Sequence, residues 1–208
     1  MVLEISFVVA LTVGVIALFW LIVRNSSDKI VHQYRKMAQQ LELSVTEPPA
    51  RLAGFVRSEP FIHGIYRHRE MSISVPAKGL QNTRQIETVV KMKVNSGTFT
   101  WQVTSTGLMG RLRQRDSGTK SRWNSGDPAF DAMVDVRTSD EGRFGRIFDE
   151  ARRTVVVNIL RGSEGSIKLR GDVLSFEEFG LIADDPTRER YMEITELLCQ
   201  LAEVVEGC

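Results

Sequence analysis

Residues 5–23 (ISFVVALTVGVIALFWLIV) form an apolar run without one charged group, and Arg24 ends it. As a helix at about 1.5 Å per residue the run is about 28 Å long, close to the ~30 Å hydrocarbon core of a bilayer. Thirteen of its nineteen residues are Leu, Ile, Val or Phe. At roughly −0.4 kcal/mol each they favour insertion by about −5 kcal/mol, an upper figure because positions near the helix ends count for less. A cleaved signal peptide would place basic residues before the run and small residues at a cleavage site after it. Residues 1–4 (MVLE) contain no basic residue, and the chain continues RNSSDK. The pattern therefore predicts an uncleaved, single-pass membrane anchor over residues 1–24.

Beyond the anchor the periodicity becomes amphipathic. Ile30, Tyr34, Met37 and Leu41 recur at helical spacing, with Ser27 or Asp28 as cap, which predicts a juxtamembrane helix over residues 25–46. Pro48 and Pro49 then end helical propagation, and a domain over residues 47–208 follows. Alternating apolar positions in residues 61–67 and 71–75 flank a charged turn and read as a hairpin. Residues 86–94 and 98–104 flank Asn95-Ser96-Gly97, the clearest hairpin signal in the chain. Further strands are predicted over residues 107–115 and 129–136.

Phe144, Ile147, Phe148, Ala151, Val155 and Ile159 trace one helical face, although Val155, Val156 and Val157 would also suit a strand. Residues 165–170 and 173–178 form a last hairpin around Gly171-Asp172. A terminal helix begins with Asp185 as cap and Pro186 in its first position, and buries Tyr191, Ile194, Leu198, Leu201 and Val205. Antiparallel strands with segregated helices give an α+β class.

Charge adds a direction. Arg24, Lys29, Arg35 and Lys36 follow the apolar run and only Glu4 precedes it, which predicts an outer N-terminus and a cytoplasmic domain. The net charge of +1 conceals 17 Lys+Arg against 7 Asp+Glu over residues 24–122, and 10 against 18 over residues 123–208. A basic face against anionic headgroups would explain this, but intermixing of the two halves within one fold is the preferred reading. Cys199 and Cys208 make no disulfide framework, in keeping with a cytoplasmic domain.

Candidate chemistry is sparse. Arg111, Arg113 and Arg115 alternate on one strand face and are the candidate lipid-headgroup contacts; a plainly solvated face is the simpler account, and nucleic acid binding comes last. Asp127 and Asp131, with Arg137 nearby, are the first candidates for acid/base chemistry, yet Asp-Pro is also a turn starter. His32, His63 and His68 lack zinc spacing, and Gly118-Thr119-Lys120-Ser121 lacks the residue order of a phosphate loop. No cofactor and no metal are expected.

The segments GDPAFDAMVDVRTSD, residues 126–140, and GSIKLRGDVLSFEE, residues 165–178, carry a resemblance. They are similar to a loose group of uncharacterised bacterial membrane-anchored proteins with a G-D-P-x-F-D segment. The resemblance implies a tethered domain and transfers no catalytic residue. The expected function is a membrane-anchored cytoplasmic interaction or scaffold module whose protein partner the sequence does not name. The alternatives are a membrane-associated enzyme and an anionic-headgroup sensor.

Overall fold

The computed structural model describes residues 2–49, 59–76, 86–106 and 120–207. Helix α1 (Val2–Leu41) leads through β1 (Ser44–Thr46) into β2 (Phe61–Tyr66), β3 (Arg69–Ser74), β4 (Glu87–Lys93), β5 (Trp101–Ser105) and β6 (Ser121–Trp123). Helix α2 (Pro128–Met133), β7 (Val134–Thr138), α3 (Glu141–Ile147), α4 (Glu150–Leu160), β8 (Ser166–Arg170), β9 (Val173–Phe179) and α5 (Asp185–Gly207) complete the chain. The strands form one nine-stranded antiparallel sheet in the order β1-β2-β3-β4-β9-β8-β5-β7-β6, so the class is α+β.

Register decides which side of the sheet needs cover. Ile62, Ile73, Val90, Phe176, Ile167, Val103, Val136 and Trp123 are successive cross-strand neighbours and form an apolar row across eight strands. Met71, Met92, Leu174, Leu169 and Trp101 form the next row on that face. The intervening row, His63, Ser72, Lys91, Ser175, Lys168, Gln102, Arg137 and Arg122, points the other way, as the period of two requires.

Helices cover the apolar face. The second half of α1 packs beside β1 and β2, and α5 lies on β4 and β9. At the far end Trp101 meets Phe144 and Phe148 edge-on, with ring centroids 5.7 and 5.1 Å apart, and Phe144 stacks on Phe148 at 4.2 Å. Such rings carry about 0.5–1.5 kcal/mol per pair beyond their burial.

Four local expectations change. Residues 86–94 and 98–104 do not pair: the β8-β9 hairpin lies between β4 and β5. The connection between them instead runs over the hairpin tip, where Val94 N–H donates to Asp172 O at 2.9 Å and Ser96 Oγ to Gly171 O at 2.6 Å. Glu87, Thr88, Val89 and Val90 are buried in succession, which suits a strand flanked on both sides rather than a peripheral hairpin.

Residues 129–136 split into a helix and a strand, because Asp127 caps and Pro128 occupies the first turn, a helix start. The helical face through residues 144–159 is two helices, broken where Asp149 turns extended and accepts from Arg152 N–H at 2.9 Å. The terminal helix is capped one residue earlier than expected, by Asp184, whose Oδ1 accepts from Thr187 N–H at 2.8 Å. The final hairpin, β8 with β9, forms as read.

Helix α5 is clasped at its end by Arg69, which donates to Glu206 at 2.5 Å, while Asn95 N–H donates to the second carboxylate oxygen at 3.2 Å. The Arg69 hydrogen bond holds the Glu206 carboxyl below its ordinary value. A depressed carboxyl stabilises the fold above its unfolded pKa, and that contribution is lost as pH falls through the folded one. Urea titrations in acid should therefore show falling stability, with a shallower fall in Glu206→Gln. Trp101→Ala should cost about 3–5 kcal/mol in the same assay, since it empties the junction between the sheet and α3.

Candidate functional site

The junction between the apolar end of α1 and the domain is where the chain's unusual features meet. Among the described residues, one helix is long and apolar enough to cross a membrane, and it is α1. Phe7, Val8, Leu11, Val13, Val15, Ile16, Leu18, Phe19, Leu21 and Ile22 are all more than half exposed, on every side of the helix. From Ile30 the same helix changes character: Ile30, Tyr34, Met37, Ala38 and Leu41 are buried. The expected juxtamembrane helix is thus continuous with the apolar run, and its inner face belongs to the domain core. Arg24 marks the border, with its guanidinium 5.1 Å from the Trp20 ring centroid.

Polar contacts lock this second half in place. Lys36 Nζ donates to Asp185 at 3.2 Å, and the contact holds the Asp185 carboxyl below its ordinary value. Arg188, buried at the start of α5, donates to Gln40. Arg35 bridges Glu47 through two hydrogen bonds of 2.5 and 2.7 Å. Beneath them Tyr34 and Tyr191 approach Thr88, whose hydroxyl donates to Gly180 O at 2.6 Å. Burial raises both phenols and also Glu59, a desolvated cluster where α1 and α5 meet the sheet.

The sequence candidates fall elsewhere. Arg111, Arg113 and Arg115 lie outside the described residues, as does the strand expected over residues 107–115. Asp127 caps α2 by accepting from Ala129 N–H at 2.9 Å and Phe130 N–H at 3.4 Å. Asp131 accepts from both N–H and Oγ of Ser125 at 3.0 Å. Arg137 joins neither; it pairs with Asp135 at 3.0 Å, as does Arg122 at 3.2 Å. Both candidate carboxylates are thus engaged, through Oδ1, in closing a turn.

The His63 ring lies tilted against Phe61, with centroids 5.3 Å apart, and contacts Thr46, whereas His68 sits in the β2-β3 turn at φ 68°. Among the described residues, no group of three or more potential metal ligands converges.

Two features escaped sequence reasoning. The polar row on the other side of the sheet is strongly basic, and nearby Lys120 is lowered by burial and by the charges of Arg170 and Lys168. Assembling that row needs the register of eight strands, which no local signal contains. On the opposite side, Glu189, Glu193, Glu196, Gln200 and Glu203 form a stripe along α5; its spacing complements the apolar face and was available in the sequence. The basic and acidic halves are also joined directly, by Lys36 with Asp185, Arg67 with Glu196, Arg69 with Glu206 and Arg122 with Asp135.

The fold has a solved counterpart. The chain is similar to the mycobacterial trehalose monomycolate transport factor A, TtfA, in its crystal structure, with a TM-score of 0.55 and 12% identity over 83% of this chain and 92% of that one. At that identity the likeness is one of fold. No family model and no curated protein matches the chain.

The capping role of Asp127 is open to direct measurement. Asp127→Ala should lower stability by about 0.5–2 kcal/mol in urea denaturation, whereas Asp127→Asn, which keeps an accepting oxygen, should stay within a few tenths of the parent.

Proposed function

We propose that the protein is a single-pass, membrane-anchored interaction module that holds its α+β domain at the cytoplasmic surface as an accessory part of a membrane assembly. The observation that carries this reading is the dual character of α1. One unbroken helix is apolar and exposed over its first half, and an integral part of the domain core over its second. A helix built this way attaches the domain to a bilayer without an intervening linker.

Arg24 and Lys29, both exposed beside the span, support a cytoplasmic placement of the domain. The similarity in fold to a protein described as a transport factor supports an accessory role. Engagement of Asp127 and Asp131 in helix capping and turn closure weighs against the enzymatic alternative. Contact with anionic headgroups through Arg111, Arg113 and Arg115 is compatible with the same placement.

Protease protection of the full chain tests the orientation. In intact spheroplasts the domain should resist added protease, and in inverted vesicles it should be digested down to the α1 segment. Digestion from the outer face of spheroplasts would reverse the assignment.

A further inference from the structure

On the helical side of the domain, Val155 and Ile159 of α4, Met192 and Leu197 of α5, and Tyr66 at the end of β2 line an open groove of about 620 Å³. Its floor is apolar and part of it is uncovered, Val155 being 42% exposed. The charged groups at the rim are Arg190, Glu193 and Glu196, with carboxylates in excess. Glu193 and Glu196 border the groove, within the stripe of Glu189, Glu193, Glu196, Gln200 and Glu203 that runs along α5 at alternating spacings of four and three. Arg190 is paired with Glu178 at 2.7 and 2.9 Å and Glu196 with Arg67 at 2.8 Å, so the charge left over at the rim is the negative one of Glu193. Glu193 is exposed and has no cationic partner among the described residues.

An apolar floor along two helices, with a net negative border set by the exposed Glu193, is the complement of an amphipathic helix with basic residues beside its apolar face. We propose that the α4-α5 groove docks such a segment from a membrane-protein partner. Cytoplasmic segments next to transmembrane helices are enriched in Lys and Arg, the chemistry this rim selects. The proposal rests on the membrane-anchored reading above, since α1 is what brings the groove to such segments.

The test uses the full chain in phosphatidylcholine nanodiscs and a labelled Leu/Lys amphipathic helical peptide of about five turns, with a Leu/Glu peptide of the same pattern as control. Fluorescence anisotropy should show binding of the Leu/Lys peptide only, weakening as salt is raised. Val155→Asn and Glu193→Lys, both at exposed positions, should each weaken it about fivefold or more, whereas Ile65→Asn on the opposite side of the sheet should leave it unchanged.

Equal binding of the Leu/Glu peptide, or binding indifferent to both groove variants, would overturn the proposal. So would a dimer of the full chain that Val155→Asn dissociates, which would assign the groove to a second copy. Failure of peptide binding leaves the protease-protection result standing, and a reversed orientation would leave the peptide result standing, so the two readings fail separately.

Discussion

Everything in this domain depends on covering one face of a wide antiparallel sheet. The row from Ile62 to Trp123 and the methionine, leucine and tryptophan row beside it present a continuous apolar surface. Each fully buried large side chain there contributes ~1.5–3 kcal/mol only when something excludes water from it. Three separate pieces of chain do so: the second half of α1 at one edge, α5 over the middle, and the Phe144-Phe148 stack at the other end. The first of these lies more than a hundred residues from the other two. The domain therefore becomes complete only when the second half of its opening helix is in place, and the apolar run is the first half of that same helix.

Legibility followed the range of the interactions. The apolar run, the face of Ile30, Tyr34, Met37 and Leu41, the β8-β9 hairpin and the terminal helix are set by neighbours a few residues apart, and periodicity alone locates them. Helix starts at Asp127, Asp149 and Asp184 were also written locally, as a short acceptor before a helical turn, but the apolar alternation around residues 129–136 and the continuous face at residues 144–159 obscured the first two. The pairing of β4 with β9 was out of reach for a different reason. Turn chemistry at Asn95-Ser96-Gly97 favours a hairpin locally, and only the burial of β4 on both sides, a property of the whole sheet, outweighs it.

The candidate site shows the same division. Aspartates in an Asp-Pro-x-x-Asp arrangement invite a catalytic reading until the hydrogen bonds are traced; one oxygen of each, Oδ1, satisfies a backbone or hydroxyl donor of its own turn. Conversely, the glutamate stripe on α5 draws little attention as composition, and gains meaning from the apolar groove at its side.

The unbroken course of α1 sets the geometry of encounter. A domain on a flexible tether explores a volume of solution above the bilayer, at heights that vary with every fluctuation of the linker. Here the distance from Val23 to Tyr34 is fixed by helical rise at about 17 Å. With α1 as the proposed membrane anchor, a domain held at that height would search an area instead of a volume: it would meet other membrane-bound molecules by lateral diffusion, with any turn of the helix about its own axis carried directly into the direction its surfaces face.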